Sequence, residues 1–548
     1  MRSSACVAGA RSRVPGRFGL AFVSSALVSC VAAACVALSF AASPAAAASI
    51  TGAVRGPDGA PVRAAFVQAR HGKLKMTVSV LTDVAGRYAV ENLPAGEYRL
   101  SVRLIGAKAE PKSGIALTAD ATTSHDFALQ AAPVRWSDLT ILQGLQLLPE
   151  ARGKQTLFDN CISCHGFQSK MAALSTDEDG WRVRVEFMRE AMRSSLADRA
   201  GFSDAQADEV VFYLNHVFGE ASVLPKSPTE LAGYKDTLNR FDDEALNIVY
   251  VDFEMPGPNR FPWTAHPDAD GNFWIPQYGV SNRIARFSPT TGEIKEFRVP
   301  HMGPALIHSA VPAPDGSVWL TEAGAKKLGR WDPATQKISE FQDDWRKHTI
   351  KVHPDGSIWS TGGLTRFDPK TGTYTHIPEV PTAYGIALDK EGTVWFTEMT
   401  RAGSLGKVDP KTLKVTKYIP PTRDRPRRIQ IDDDGMIWFC IYESGKIERF
   451  DPKAETFKEY VLPHAKTKPY ALAVGSDRMI WYSSEWRDVM GRLDPATGKV
   501  VEYPMPYTDN GMRDFFLDKD GRIWFATPPN NRVGYFYLST KQRNADVR

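Results

Sequence analysis

Three residues have the types and spacing needed to attach a haem covalently. They are Cys161, Cys164 and His165, in the motif Cys-Ile-Ser-Cys-His. Two thiols three residues apart can form two thioether bonds to a haem, and the histidine that follows can bind the iron axially. A redox Cys-x-x-Cys pair and half of a zinc site are the alternatives, but a zinc site needs a second Cys/His pair nearby and none follows. The motif therefore predicts one covalently bound haem c.

The sequence around this motif predicts a small helical domain over residues 137–222. Ile141–Leu148 and Gly153–Asn160 have helical spacing, and Ser203 with Gln206 three residues later marks the start of a final helix. The segments GKQTLFDNCISCHGF, GWRVRVEFM and FSDAQADEVVFYLNHVFG resemble class I cytochromes c. This resemblance implies that the last helix packs against the first with the haem between them, and that the domain transfers electrons.

Several residues could supply the second axial ligand of the iron. Met188 lies in a helix-like segment where the resembling cytochromes often place a sulfur donor, and Met192 lies one helical turn further on the same face. Met171 or His216 could also bind the iron, or the position could be open. Methionine ligation would raise the reduction potential and suit electron transfer, whereas an open position would suit ligand binding or catalysis. We predict Met188 as the ligand, with Met192 as its alternative.

The amino terminus predicts export. Four arginines precede a long apolar run, and an alanine-rich stretch then leads to Ser49, which is the order of a secretory signal. We predict a signal peptide over residues 1–48 and a periplasmic location, with an uncleaved signal or a lipid-modified Cys30 as the only routes to membrane attachment. The whole chain has 67 basic and 63 acidic residues. Removing the four arginines balances the two charges, so no nucleic-acid partner is predicted.

Residues 49–131 predict a small β-sandwich. Short alternating segments are separated by turn sequences such as Arg55–Gly59, Asp83–Gly86 and Pro94–Gly96. The stretches GAVRGPDGAPVRAAFVQA and TDVAGRYAVENLPAGEYRLSVRLIGA resemble the carboxypeptidase regulatory-like domain. This resemblance implies an accessory spacer or docking module.

The carboxy-terminal half, residues 244–548, consists of repeats of about 40 residues. Each repeat has an Asp-Gly-like turn closely followed by a tryptophan, and most then carry an Asp-Pro pair or a relative of it. Four short strands per period are typical of a propeller blade, so the repeats predict a seven-bladed β-propeller. Because the last repeat ends at the carboxy terminus, we expect Asn247–Phe253 to supply its outer strand. The seven tryptophans are Trp274, Trp319, Trp359, Trp395, Trp438, Trp481 and Trp524.

The repeat consensus, seen in Gly392–Glu398 and Gly491–Pro504, resembles the streptogramin (virginiamycin B) lyase family. The resemblance implies magnesium-dependent elimination that opens a cyclic peptide lactone. In that family the last blade carries Glu-x-His at the start of its inner strand, and the preceding blade carries a histidine at the equivalent place. Here those positions hold Gly511–Arg513 and Tyr470. The metal ligand and general base that the resemblance implies are therefore missing.

Two positions in each repeat are predicted to point toward the central funnel. The first lies seven residues before the acidic residue of the turn, and the second lies three residues after the tryptophan. Together they would form a polar pocket, and Glu322, Glu398 and His308 could build a divalent metal site or an acid–base site. The first set contains Trp263, His308, His348, Tyr384, Arg427, Tyr470 and Arg513. The second set contains Gln277, Glu322, Gly362, Glu398, Ile441, Ser484 and Thr527.

The sequence thus predicts a multidomain, mainly β protein with a β-sandwich, a small all-α cytochrome c domain and a seven-bladed propeller. The leading functional hypothesis is a periplasmic monohaem cytochrome, an oxidoreductase that binds a small-molecule substrate or a redox partner protein at the propeller funnel. A second hypothesis is a lyase of the streptogramin type with an accessory cytochrome. A third is a non-catalytic protein that binds a partner and senses redox state.

Overall fold

The computed structural model describes residues 48–162, 165–195 and 202–539, without the side chains of Ser169 and residues 191–195. Strands predominate in these residues, as predicted. Among them, no helix is both long and apolar enough to cross a bilayer. The predicted signal peptide lies outside the described residues apart from Ala48, and so does Cys164.

The amino-terminal domain is a β-sandwich, as predicted. Its strands are β1 (Ala48–Arg55), β2 (Phe66–His71), β3 (Met76–Leu81), β4 (Arg87–Leu93), β5 (Gly96–Arg103), β6 (Ala107–Lys108), β7 (Lys112–Leu117), β8 (Thr122–Ser124), β9 (Phe127–Ala128) and β10 (Gln130–Ala131). One sheet joins β4, β1 and β8, with β9 also paired to β1, and the other contains β3, β2, β5 and β7 in that order. Ile50, Val67, Val90 and Leu100 alternate with more exposed residues and are fully buried between the two sheets.

The segment that follows the sandwich is helical. It contains α1 (Ile141–Leu147), α2 (Lys154–Asn160), α3 (Glu178–Ser195) and α4 (Asp204–Phe218). Ser203 caps α4 through a reciprocal pair of hydrogen bonds with Gln206, as its sequence predicts. The start of α2 packs closely on α4: Gly153 has a φ of 93°, and a Cβ at this position would lie 2.0 Å from the carbonyl oxygen of Glu209. Thr156 donates a 2.9 Å hydrogen bond to the Glu209 carboxylate at the same contact.

The carboxy-terminal half is propeller-like, with six four-stranded antiparallel sheets arranged in sequence order. The first three sheets contain β12 (His266–Pro267), β13 (Phe273–Pro276), β14 (Arg283–Phe287) and β15 (Ile294–Arg298); β16 (Ile307–Pro312), β17 (Val318–Glu322), β18 (Lys327–Trp331) and β19 (Ile338–Gln342); and β20 (Ile350–Val352), β21 (Ile358–Ser360), β22 (Thr365–Asp368) and β23 (Thr373–His376). The next three contain β24 (Ala383–Leu388), β25 (Val394–Glu398), β26 (Leu405–Val408) and β27 (Val415–Tyr418); β28 (Pro426–Ile431), β29 (Ile437–Ile441), β30 (Lys446–Asp451) and β31 (Thr456–Val461); and β32 (Pro469–Val474), β33 (Ile480–Ser484), β34 (Val489–Leu493) and β35 (Val500–Pro504).

The seventh set of four strands combines the two ends of this region. It contains β36 (Phe516–Leu517), β37 (Ile523–Thr527), β38 (Arg532–Leu538) and β11 (Ile248–Glu254). The antiparallel pairing of β11 with β38 confirms the prediction that Asn247–Phe253 supplies the outer strand. The sequence did not predict that β11 also pairs with β3 of the sandwich, so that the two domains share one eight-stranded sheet.

The Asp-Gly turn and the tryptophan recur together because they are hydrogen-bonded. In four sheets the indole N–H donates to a carboxylate of the turn that precedes its strand, and the tryptophan itself is buried. The pairs are Trp274 with Asp268 at 3.3 Å, and Trp395 with Asp389, Trp438 with Asp432 and Trp524 with Asp518 at 2.8 Å. In these four sheets the buried indole thus has a partner for its one donor, and the bond fixes the turn between the first two strands.

Candidate functional site

An apolar cavity of about 560 Å³ lies between the helical segment and the propeller-like region. Cys161 and His165 line it, so the described part of the predicted haem motif is at the cavity wall. The helical segment also contributes Leu157, Met171, Leu174, Trp181, Val185, Phe187, Met188, Phe202, Val210 and Leu214. Lys170, Val183 and Arg184 of the helical segment also line it, and the propeller-like region contributes Asn259, Phe261, Tyr278, Gly279, Val280 and Leu306.

The His165 side chain is oriented by its backbone neighbour. Its Nδ1 lies 2.8 Å from the Gly166 carbonyl oxygen, and because a carbonyl can only accept, Nδ1 carries the proton. Nε2 is then the nitrogen with a lone pair for a metal, the arrangement common in metal-binding histidines. A thiol, an imidazole and an apolar lining of this volume fit a covalently bound haem.

Among the predicted axial ligands, Met188 lines the cavity, and Met171 lines it too. The side chain of Met192 lies outside the described residues. His216 is not part of the cavity lining, and its ring stacks on Phe212 with centroids 5.8 Å apart. The structure therefore retains two sulfur donors from the predicted set.

Seven buried side chains, one from the inner edge of each sheet, meet at the centre of the propeller-like region; we call them the axial cluster. They are Trp263, His308, His348, Tyr384, Arg427, Tyr470 and Arg513, the complete first set predicted from the repeats. His308 lies 5.6 Å from Trp263 and 3.6 Å from His348 between ring centroids, and the Arg427 and Arg513 guanidinium carbons lie 4.5 and 4.6 Å from the Tyr470 ring centroid. Tyr384 and Tyr470 are hydrogen-bonded to each other.

The register of the inner strands explains why these residues point inward. Pairing with the next strand is interrupted just after the first residue of β16, β24, β28 and β32, and the second residue of each is His308, Tyr384, Arg427 or Tyr470. Such bulges re-aim side chains. The bulge leaves one backbone N–H of the inner strand without a partner in the next strand. In three of these sheets a hydroxyl two residues after the tryptophan accepts this N–H at 3.0 Å. Thr321 accepts from Ser309, Thr397 accepts from Gly385, and Ser483 accepts from Ala471.

The threonines of this pattern also join neighbouring sheets. Thr321 donates to the His348 carbonyl at 2.7 Å, and Thr397 donates to the Arg427 carbonyl at 2.5 Å. Each hydroxyl therefore links one sheet to the axial residue of the next. The sequence analysis missed this role, although the Trp-x-Thr spacing recurs visibly in the repeats.

Three cations control ionisation in the axial cluster. Burial raises the pKa of the Tyr470 phenol, but the charges of Arg427, Arg513 and Arg428 outweigh burial and leave this pKa below its usual value. Burial and the neighbouring Tyr470 raise the pKa of Tyr384. Within the hydrogen-bonded pair, the pKa of Tyr470 thus lies below the usual tyrosine value and that of Tyr384 lies above it.

Burial also keeps the two histidines of the cluster neutral. It lowers the pKa of His308 and of His348 well below the ordinary value, and the nearby charge of Arg428 adds to the effect. The cluster therefore combines a phenol of lowered pKa, fixed cations and neutral imidazoles.

The sequence analysis missed three residues that complete the cluster. Arg428 is buried and donates from Nε to the Arg513 carbonyl at 2.8 Å. Glu485 accepts from Arg513 at 2.6 Å and from the hydroxyl of Tyr442. Two adjacent arginines at the start of an inner strand, Arg427 and Arg428, were the signal available in the sequence.

The second predicted set does not join the axial cluster, which corrects the placement of Glu322 and Glu398. Glu398 accepts from Ser404 at 2.6 Å and pairs with Lys417 at 3.0 Å, all within one sheet. Glu398 also accepts from Thr382 at 3.1 Å, so the segments around the first, third and fourth strands of its own sheet supply its partners.

Glu322 instead belongs to a different group of possible metal ligands. One side-chain donor atom each from His301, Glu322 and Glu340 lie within 4.8 Å of one another. Burial, with the nearby Glu340 carboxylate, raises the pKa of Glu322 to about 8. The predicted partner His308 is not in this group, and Lys327 already pairs with Glu340 at 2.6 Å.

A second cavity, of about 410 Å³, lies between the helical segment and the axial cluster and has a polar lining; we call it the polar cavity. Phe158, Asp159, Asn160, Ile162, Phe202 and Gln206 line it from the helical segment. Arg401, Arg425, Arg427, Tyr442, Glu443, Lys468 and Trp486 line it from the propeller-like region.

Comparison with known proteins supports two of the three sequence resemblances. Residues 373–544 match the virginiamycin B lyase family. Residues 49–130 match the carboxypeptidase regulatory-like domain. Neither match includes residues 131–372, so the class I cytochrome c resemblance stays a prediction. No curated protein matches the chain.

The solved structures that resemble the chain include streptogramin lyases. A streptogramin B lyase is 25% identical with a TM-score of 0.50, over 54% of this chain and 100% of that one. A selenomethionine-substituted virginiamycin B lyase from Staphylococcus aureus is 24% identical with a TM-score of 0.48, over 52% and 98%. A catalytically inactive variant of that lyase with quinupristin is 25% identical with a TM-score of 0.47, over 52% and 99%. The first of these supports a lyase-like propeller fold.

Proposed function

We propose that this chain is an exported monohaem c-type protein that transfers electrons between its haem and a molecule bound at the propeller. The observation that carries the proposal is the apolar cavity with Cys161 and His165 of the C-x-x-C-H motif in its wall. A redox Cys-x-x-Cys pair does not need an apolar cavity of this size beside it. Thioether attachment of haem follows export, which agrees with the predicted signal peptide and a periplasmic location.

The residues that would hold the haem follow from the C-x-x-C-H motif and from the lining of the apolar cavity. Cys161 and Cys164 would form the thioether bonds, and His165 would bind the iron through Nε2. Met188 would be the second ligand, with Met171 and Met192 as alternatives. The haem would supply a one-electron redox centre, and the apolar lining and a sulfur ligand would favour its reduced state.

Covalent attachment is tested by exporting the protein from a host that has cytochrome c maturation machinery. The intact mass should exceed that of the polypeptide by one haem, and an alkaline pyridine spectrum should show haem c. Replacing both Cys161 and Cys164 by alanine should abolish both signals. Cys440→Ala is the matched control, because Cys440 is buried in β29 away from the cavity. An unmodified mass for the parent protein would refute the proposal.

A lyase of the streptogramin type is the second candidate function. The match of residues 373–544 to that family and the lyase-like fold favour it. Against it, Tyr470 and Arg513 occupy the positions where the resemblance implies a histidine and Glu-x-His. The test is opening of a streptogramin B lactone by the purified protein, with and without Mg²⁺. Magnesium-dependent opening would establish the lyase and make any haem accessory.

Two further predictions belong with this proposal. A redox partner protein would be needed to carry electrons away from a single haem. A divalent cation in the propeller would have to bind at His301, Glu322 and Glu340 rather than beside His308.

A further inference from the structure

We propose that the polar cavity binds a small aromatic carboxylate. This inference deepens the proposed function, because it names the class of molecule that would exchange electrons with the haem. The volume of the polar cavity, about 410 Å³, lies in the range of small-molecule sites. The axial cluster itself is packed with side chains, so the predicted funnel site is displaced to this cavity.

The lining carries an excess of positive charge. Arg401, Arg425, Arg427 and Lys468 face only two acids, Asp159 and Glu443. Lys468 and Arg425 both pair with the same carboxylate, that of Glu443. One carboxylate therefore pairs with two cations, and an anionic ligand would neutralise the remaining positive charge of the cavity wall.

Arg427 gives the cavity a donor for a carboxylate. It is only 5% exposed, and among the described residues its Nε has no hydrogen-bond partner. A buried N–H without an acceptor is costly, and a ligand oxygen would remove that cost. The guanidinium is held in place by Tyr442, whose ring centroid lies 3.9 Å from its central carbon, and by a 3.3 Å hydrogen bond to Tyr384. A bound carboxylate would thus meet a pre-positioned cation.

Aromatic side chains supply the apolar part of the wall. Phe158 and Trp486 lie edge to face with ring centroids 6.1 Å apart, and Tyr442 lines the cavity on the Arg427 side. Rings stacked or packed edge-on favour a flat aromatic ligand. Lys468 Nζ lies 4.7 Å from the Trp486 ring centroid, so cations and rings lie side by side in the same wall. An aromatic acid would therefore contact a ring and a cation together, which an aliphatic acid would not.

The polar cavity and the apolar cavity are neighbours. Phe158–Asn160 and Ile162 line the first, Leu157 and Cys161 line the second, and Phe202 lines both. Residues 157–162 thus divide between the two cavities, and Phe202 contributes to both. A ligand in the polar cavity would therefore lie beside the cavity that the proposed haem would occupy.

Calorimetry with 4-hydroxybenzoate tests the inference on the complete protein as purified. Binding at millimolar concentration or tighter is expected, and it should weaken as salt is added. The neutral isostere 4-hydroxybenzamide should bind at least about 10-fold more weakly, because it cannot form the charged contact. Equal binding of the two compounds, or no binding of the acid, would overturn the proposal.

Two variants locate the site. Arg401→Gln changes an exposed residue at the cavity wall and should weaken binding of the acid about 10-fold without affecting folding. Arg298→Gln, an exposed arginine of β15 outside the cavity, is the control and should bind as the parent does. Equal loss in both variants would place the ligand elsewhere. Calorimetry does not require a haem. An unmodified mass of the exported protein would refute the proposed function, whereas binding of the acid by that same protein would leave this inference intact.

Discussion

The backbone N–H of Gly166 donates a 2.6 Å hydrogen bond to Oδ1 of Asp509, which ties the residue after the C-x-x-C-H motif to the loop before β36. Asp509 is only 3% exposed. Its own N–H donates to Asp488, which also accepts the N–H of Asn510. The propeller-like region thus fixes the motif from outside its own helical segment.

Replacing Asp509 by alanine should loosen this connection. A hydrogen bond to a buried carboxylate is worth about 2 kcal/mol, so the free energy of unfolding should fall by about that amount. Limited proteolysis should cut residues 137–222 faster than in the parent protein. Asp520→Ala, which removes an exposed ion pair with Arg522, is the control and should change neither measurement appreciably. Unchanged proteolysis in Asp509→Ala would show that the contact does not hold the segment.

The identity of the second axial ligand should be visible in the haem spectrum. If Met188 binds the iron, Met188→Ala should abolish the weak far-red band that the cytochrome resemblance implies, and should lower the reduction potential. Met171→Ala is the matched control, because Met171 lines the same cavity. Loss of the band in Met171→Ala alone would reassign the ligand, and its survival in both variants would favour Met192.

Tyr470 should ionise before the other tyrosines of the axial cluster. Arg427, Arg513 and Arg428 bring the pKa of this phenol below its usual value despite burial. Since the folded protein releases this proton at lower pH than the unfolded chain, the free energy of unfolding should gain from it as pH rises through the folded pKa. Ultraviolet titration should show an early phenolate step that Tyr470→Phe removes and Tyr384→Phe retains. Identical titrations of the parent and Tyr470→Phe would contradict this account.

Glu322 should make the protein less stable as pH rises. Burial and Glu340 raise its pKa from 4.5 to about 8, so between these values the folded protein holds a proton that the unfolded chain has released. The free energy of unfolding therefore falls with pH across this window, and the contribution is lost above about pH 8. Glu322→Gln should flatten the dependence measured by urea unfolding at several pH values.

The matched control for that measurement is Glu398→Gln, at the same position two sheets later. Glu398 is paired with Lys417 and Ser404, so its replacement should lower stability without removing the slope due to Glu322. Equal pH slopes for the parent and Glu322→Gln would show that Glu322 ionises normally.

Removing the sandwich should destabilise the propeller-like region. Deletion of residues 49–131 would expose β11 along the edge that now pairs with β3, and would uncover Val249, Val251 and Phe253, which pack with the sandwich core. We expect a lower unfolding temperature and self-association in size-exclusion chromatography. A monomer with unchanged thermal stability would show that the shared sheet is dispensable.

The sequence alone determined the features that repeat or that are local. The Asp-Gly-like turn and the tryptophan recur in every sheet, and in four sheets the turn carboxylate accepts the indole N–H. The same spacing placed all seven residues of the axial cluster, and in four sheets a bulge occurs at the same point of the inner strand. The C-x-x-C-H motif likewise predicts covalent haem attachment from local spacing alone, without reference to the fold.

Tertiary structure decided what depends on contacts between distant segments. The pairing of β11 with β3 joins strands that are remote in the chain, and no local pattern specifies which free edge a strand will meet. Glu322 and Glu398 looked equivalent to funnel residues by position, but their neighbours are Glu340 for the first and Ser404 and Lys417 for the second, which lie in the same sheets. The two cavities lie where the helical segment meets the propeller-like region. Such packing produces no periodic pattern in the sequence, so the cavities could not be predicted from it.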